Sequence, residues 1–244
     1  MTMSLYETQH PQQSTPPCPT CDTLNACLPL GLDENANAVI DRAFCHPRRL
    51  ARRETLYRAG VPFTALHLIK SGSLKGVTVV EDGREQITGY HMAGDIVGLD
   101  DLGQDTYACD VIALEDSEVC TLPIARLGDL AQQPRLLQTL FELMARDLRR
   151  GRDLIVLLGS MRAEERLATF LLNLSQRRQL RGAMPNELAL RMTREEIASF
   201  LGVKLETVSR VFSRLQAEGL IEVHGRAIKL LDAAGLRRAA GHPA

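Results

Sequence analysis

The hydrophobic period of this chain changes once, and that change constrains the fold more than any other feature. From about Leu50 to Leu130, short apolar runs are cut by Gly60, Gly72, Gly76, Gly83, Gly89, Gly94, Gly98 and Gly103. The segments HLIKSG, LKGVTVVEDG, EQITGYHMAG and DVIALEDSEVCTLP each read as a strand ending in a turn, with Asp82-Gly83 the clearest hairpin signal. Many short strands at near-regular spacing predict a small barrel or roll. After Pro134 the period becomes that of a helix and holds for about 26 residues.

Within that helix Leu137, Phe141, Met144, Leu148, Gly151, Ile155 and Leu158 follow spacings of four and three in alternation, the a/d seam of a coiled coil. A helix of this kind packs on its own domain or against a second copy, and the regular seam favours a homodimer. Arg146, Arg149, Arg150 and Arg152 are expected on the other faces, toward solvent or a partner's carboxylates. Gly151 offers no knob and costs about 1 kcal/mol relative to Ala, so the seam is expected to close conditionally.

Further on, Thr193-Arg194-Glu195-Glu196 forms a capping box that starts a helix. Ala198, Gly202 and Val208 then fall at helix-turn-helix spacing: a small residue where two helices touch, Gly at the turn, and an apolar residue on the returning helix. The second helix, about Leu205 to Ala217, places Glu206, Ser209 and Arg210 on one face near its N-terminal end. Arg can bond guanine O6 and N7 bidentately, Glu can accept from a cytosine amino group, and Ser can serve either way. On its own this trio would be a solvated pair on an amphipathic helix; the turn before it makes it a DNA-reading face. LIEVHGRAIKLL reads as a hairpin around His224-Gly225-Arg226, which completes a winged helix and puts Arg226 near phosphate.

The charge balance agrees with that division. Residues 1–161 hold 15 Lys/Arg against 21 Asp/Glu, and residues 162–244 hold 14 against 9. A basic second part suits a polyanionic partner. The N-terminus MTMSLYETQHPQQSTPP lacks a basic n-region and an apolar h-region, so no secretory signal is expected, and the aliphatic run Leu154–Leu158 is too short to span a membrane. Residues 1–17 read as a mobile arm, and a cytoplasmic, reducing location follows.

In such a compartment, clustered cysteines point to metal or redox chemistry. Cys18, Cys21 and Cys27 give C-x2-C-x5-C, with Cys45, Cys109 and Cys120 elsewhere. Three thiolates so spaced, with a fourth from elsewhere in the chain, can hold zinc or an iron–sulfur cluster, and spacing does not separate the two.

The motifs CPTCDTLNACLP, EQITGYHMAGDIVG, SEVCTLP, AEERLATFLLNLS and TREEIASFLGVKLETVSR, in this order from Cys18 to about Asp232, resemble the FNR-type oxygen-responsive regulators of the cyclic AMP receptor protein superfamily. The resemblance implies a 4Fe-4S cluster held by Cys18, Cys21, Cys27 and Cys120, the last because it stands in SEVCTLP, with Cys109 the runner-up. It implies dimerisation through the long helix when the cluster is intact, a palindromic site with TTGAT-type half-sites, and release of DNA on exposure to oxygen. Leu205 stands where the cyclic AMP receptor branch has Arg. The segment around EDGREQ resembles the loop that touches RNA polymerase, although Arg84 adds a basic charge there.

The fold expected is α+β: an arm and cysteine segment over 1–32, a cyclic-nucleotide-binding-like β-roll over 33–132, a dimerisation helix over 133–160 and a winged helix-turn-helix over 161–244. Cyclic nucleotide sensing is disfavoured because the stretches that would hold the phosphate read GLDD and TYACD, with no Arg between Arg84 and Arg126. The remaining alternative is a winged-helix regulator with a structural zinc site or a cluster-independent, small-ligand signal. No Walker, HExxH or GxSxG motif supports an enzyme.

Overall fold

The computed structural model describes residues 46–128, 134–179 and 184–241. The N-terminal arm and Cys18, Cys21, Cys27 and Cys45 lie outside the described residues. Eight strands come first: β1 (His46–Leu50), β2 (Thr55–Tyr57), β3 (Ala65–Ser71), β4 (Ser73–Val79), β5 (Glu85–Met92), β6 (Ile96–Val97), β7 (Asp110–Ala113) and β8 (Ser117–Pro123). They form two antiparallel four-stranded sheets, ordered β1-β8-β3-β6 and β2-β7-β4-β5, which is the expected roll.

Between the sheets lies a core that includes Leu50, Tyr57, Ile69, Leu74, Val111 and Val119. Tyr57 stacks on Tyr107 with ring centroids 3.8 Å apart, and the Tyr107 hydroxyl donates to the Ala65 carbonyl at 2.7 Å. The opposite face of the first sheet carries Leu66, Leu68, Cys120 and Leu122, because alternate strand residues point to opposite faces. The Asp82-Gly83 turn joins β4 to β5 as expected, with Gly83 at φ 82° and its N–H donating to Val80. DVIALEDSEVCTLP is two strands and not one. Glu115 and Asp116 make a turn between them, where Asp116 accepts the Arg52 N–H and Ser117 Oγ donates to the Glu115 carbonyl, and the chain passes from one sheet to the other.

The long helix α1 spans Pro134–Ser160 and is followed, after two residues, by α2 (Ala163–Gln179). Leu140, Leu143 and Met144 of α1 pack on the outer face of the first sheet. Leu154, Leu157 and Leu158 join a second core with α2 and the C-terminal elements. These are α3 (Arg194–Leu201), α4 (Leu205–Ala217), a small sheet ordered β10-β11-β9 from β9 (Glu187–Ala189), β10 (Ile221–His224) and β11 (Ala227–Leu230), and α5 (Ala233–Ala239). Among the described residues no helix is long and apolar enough to cross a membrane.

One expectation about α1 needs correction. Arg150 does not face solvent: its Nη2 lies 2.9 Å from Asp95 Oδ1 in the β5–β6 turn, and Arg177 of α2 binds the other carboxylate oxygen. Asp95 is only 3% exposed, and the Met92 N–H also donates to it at 2.8 Å. Burial alone would raise its carboxyl; Arg177, then Arg150, then the Met92 N–H outweigh this and hold it below the usual carboxylate range. The pattern could not reveal this, because helical period places Arg150 on a face without naming what the roll offers there.

Removing one partner from a buried ion pair leaves the other charge uncompensated, so Asp95→Ala should lower the unfolding free energy by about 3–5 kcal/mol in a denaturant titration at pH 7. Because the folded carboxyl is depressed below 3.8, its contribution is complete above that unfolded value and is lost as pH falls through the folded one. Asp95→Asn should therefore flatten the acid limb of the stability–pH curve.

Candidate functional site

The DNA-reading face is built from its helix start upward. Thr193 Oγ1 accepts the Glu196 N–H at 3.1 Å and Glu196 Oε2 accepts the Thr193 N–H at 2.6 Å, so the capping box forms as the sequence indicates. Gly202 ends α3 in the left-handed region at φ 61°, where any side chain would be strained. Ala198 and Val208 are buried where α3 meets α4. The Arg194 guanidinium lies over the Phe212 ring, 3.2 Å from its centroid, and fixes α3 against α4 a second time.

That arrangement leaves Glu206, Ser209 and Arg210 exposed together on the first turns of α4, while Val208, Val211, Phe212 and Leu215 face inward. Arg210 is braced by Thr207, its Nη2 lying 3.4 Å from the hydroxyl. Lys204 precedes the helix, and Arg226 and Lys229 stand exposed on the β10–β11 hairpin. Lys204 thus adds a cation beside the exposed start of α4, and the hairpin is tied to the helix's other end by the Val223 N–H donating to Gln216 Oε1 at 3.0 Å. His224 is exposed at the end of β10, 3.8 Å from Glu222, as befits a turn residue.

Arg166 was not singled out by sequence reasoning and proves structural to this face. Its Nη2 donates to the Leu158 carbonyl at 2.7 Å and its Nη1 to the Leu201 carbonyl at 2.9 Å. One guanidinium therefore caps the ends of α1 and α3 together. The only sequence signal is an Arg directly after the acidic pair Glu164-Glu165, which cannot show a contact 35 residues away.

The expected seam residues divide along α1. Phe141, Leu148 and Ile155 are 59%, 75% and 73% exposed, and Val156 beside them is half-exposed. Leu137, Met144 and Leu158 are half-buried, the latter two against the chain's own cores. Gly151 is exposed, and a methyl group there would meet nothing within 4 Å.

Two of the six cysteines lie among the described residues, and they differ in placement. Cys109 packs with the core between the sheets, and burial, with Asp100 and Asp101 nearby, pushes its thiol up to about 12. Cys120 sits on the outer face of the first sheet, paired across the strands with Pro47 of β1. Among the described residues no three His, Cys, Asp or Glu side chains gather as a metal site.

Between roll, α1 and α2 lies a cavity of about 790 Å³ lined in part by Tyr57, His91, Asp100, Cys109, Asp147 and Phe170. Desolvation pushes the His91 imidazole down to about 4, so it is neutral. Arg150 and Arg177 reach the cavity with Asp95 already bound, and burial followed by Asp100 raises the Asp147 carboxyl. The lining sets Arg150, Arg152 and Arg177 against Asp100, Asp147 and Asp153 and is otherwise largely apolar.

Known proteins match both halves. A Crp-like helix-turn-helix domain corresponds to residues 165–239 and a cyclic nucleotide-binding domain to residues 47–134. The chain is 40% identical over 225 residues to the transcriptional activator protein anr of Pseudomonas aeruginosa, covering 92% of each. It is 38% identical over 226 residues to the fumarate and nitrate reduction regulatory protein of Escherichia coli, covering 92% of this chain and 90% of that one. Among solved structures, FixK2 of Bradyrhizobium japonicum superposes with a TM-score of 0.74 at 29% identity, covering 82% of this chain and 98% of that one. The roll, the long helix and the winged helix-turn-helix are thus shared with transcription regulators, and the chain belongs to the Crp/FNR family of DNA-binding transcription regulators.

Proposed function

We propose that this regulator ties DNA binding to an oxygen-labile 4Fe-4S cluster held by Cys18, Cys21, Cys27 and Cys120, and that it binds a palindromic TTGAT-type site as a homodimer. The observation that carries the cluster reading is the placement of Cys120. Its cross-strand partner Pro47 lies near the start of β1, so the chain from the cysteine segment enters the roll beside this thiol. Cys109 is the poorer fourth ligand, since ligation needs the thiolate and burial keeps that group protonated. A relative named for fumarate and nitrate reduction also supports the reading, because both compounds replace oxygen as electron acceptors. When bound, the cluster supplies iron–sulfur chemistry that oxygen destroys. The cytoplasm keeps such thiolates reduced.

The chain's own residues do the rest. Phe141, Leu148 and Ile155 form the apolar strip that a second copy covers, with Leu137, Met144, Gly151 and Leu158 along its edge. Glu206, Ser209 and Arg210 read base edges, and Lys204, Arg226 and Lys229 meet phosphate. RNA polymerase is the second macromolecular partner, met at the β4–β5 tip, where Val79 and Val80 are exposed and Arg84 is held 2.6 Å from Asp82.

Protein purified without oxygen should carry about four iron and four sulfide per subunit and a brown band that bleaches in air. Cys120→Ser should lose the iron and Cys109→Ser should keep it; a colourless, zinc-bearing protein would end the oxygen reading and leave a structural metal site.

Arg210→Ala should weaken binding to a TTGAT-type palindrome by about 1–3 kcal/mol, roughly five- to 150-fold, and relax base preference at one position of each half-site. Leu148→Ala combined with Ile155→Ala should shift the sedimentation profile toward monomer, whereas an unchanged profile would place the dimer contact elsewhere.

A further inference from the structure

The roll does more than precede the DNA-binding part; it grips the first helix of the helix-turn-helix. Lys75 Nζ on β4 lies 2.8 Å from Glu196 Oε1 on α3, with the two side chains 14% and 22% exposed. One helical turn on, the Ile87 N–H of β5 donates to Ser199 Oγ at 3.0 Å, and the Gln86 side chain donates to the Ser199 carbonyl. Val77 and Ile87 continue the same contact into the apolar core of the C-terminal part. This is a built interface, and its ion pair is shielded enough that salt screens it little.

The grip closes a mechanical loop. The roll holds α1 through Asp95–Arg150 and the Leu143 contact, and it holds α3 through Lys75 and Ser199. Since α3 and α4 are fixed to each other by Ala198, Val208 and the Arg194–Phe212 stack, the roll contact acts with the Arg166 cap to set the direction of α4 relative to α1. In a dimer whose axis runs along α1, that direction decides how far apart two half-sites must lie.

We propose that Lys75 and Ser199 are positioning residues for DNA recognition, which fix the half-site separation that the dimer accepts. This rests on the reading of the protein as a dimer on a palindrome. Moving one half-site by a base pair shifts it by about 3.4 Å and turns it by about a tenth of a helical turn, so a rigid pair of recognition helices discriminates and a loosened pair does not. Glu196 is the wrong residue to change, because its second carboxylate oxygen caps α3. The side chains of Lys75 and Ser199 carry no cap; the Ser199 carbonyl, which accepts the Gly202 N–H, is kept in Ser199→Ala.

The test uses the full-length protein purified without oxygen, with binding read by fluorescence anisotropy. The duplexes are a TTGAT-type palindrome, the same palindrome lengthened or shortened by one base pair between half-sites, and a single half-site. The unaltered protein should prefer one separation by about tenfold or more, and Lys75→Met and Ser199→Ala should each bring that preference to about threefold or less. Affinity for the single half-site should stay within about twofold, and Lys75→Arg, which keeps the ion pair, should restore the preference. A Lys75→Met protein that binds every duplex more weakly by the same factor, or that discriminates as before, overturns the proposal and leaves the dimer reading intact. An unaltered protein that binds the palindrome no better than the single half-site defeats the dimer reading and the proposal together.

Discussion

The rest of the structure depends on one buried carboxylate. Asp95, in the turn between β5 and β6, is held by Arg150 from α1 and Arg177 from α2, so a single side chain joins the roll to both helices that lead to the DNA-binding part. Desolvating three charges is costly, and such a knot contributes less net stability than its contacts suggest. What it supplies is orientation. With Arg150 drawn toward the roll, the flank of α1 that carries Leu143, Leu154 and Leu157 must face inward, and Phe141, Leu148 and Ile155 must face out. The helix therefore has a wide apolar surface shared between two clients, with Met144, Gly151 and Leu158 on the border.

This explains why the four-and-three spacing of α1 was legible while its use was not. Two seams run side by side on one helix, and a period alone finds the stripe without saying where one client stops and the next begins. The helix-turn-helix was read more fully, because its signals are local: the capping box, the left-handed Gly202 and the buried Val208 each follow from residues within a few positions. The roll was legible as a class, since Gly-punctuated alternation needs no knowledge of partners. Its strand order was not, and neither were β1, β2, β6 and the three-residue β9, which are too short or too polar to show a period. Lys75–Glu196 spans 121 residues and Arg177–Asp95 spans 82, and no sequence window contains both ends of either pair.

The two described cysteines show what a fold adds to a spacing argument. Both stand in strand-like runs near acidic residues, and the sequence gives no physical reason to rank them. Alternation along the strands does: Val119 and Cys120 are neighbours that point to opposite faces, so Cys120 leaves the interior that Val119 fills. Cys109 packs in that interior, where a thiolate is poorly solvated. The cavity beyond it is lined by Asp100 and Asp147 along with Arg150 and Arg177, and those two arginines are engaged by Asp95.

Part of the positive charge of the C-terminal part is spent on the molecule's own groups. Arg166 caps two helices, Arg177 binds Asp95, Arg191 binds Glu115, Arg194 covers Phe212 and Arg214 binds Glu164. The exposed cations around α4 and its hairpin reduce chiefly to Lys204, Arg210, Arg226 and Lys229. In a dimer these cations come twice, and each neutralised phosphate contributes its own share of counterion release. A chain that uses several of its arginines to stiffen the winged helix, and to clamp it to the roll, carries a recognition helix whose direction is fixed by the fold.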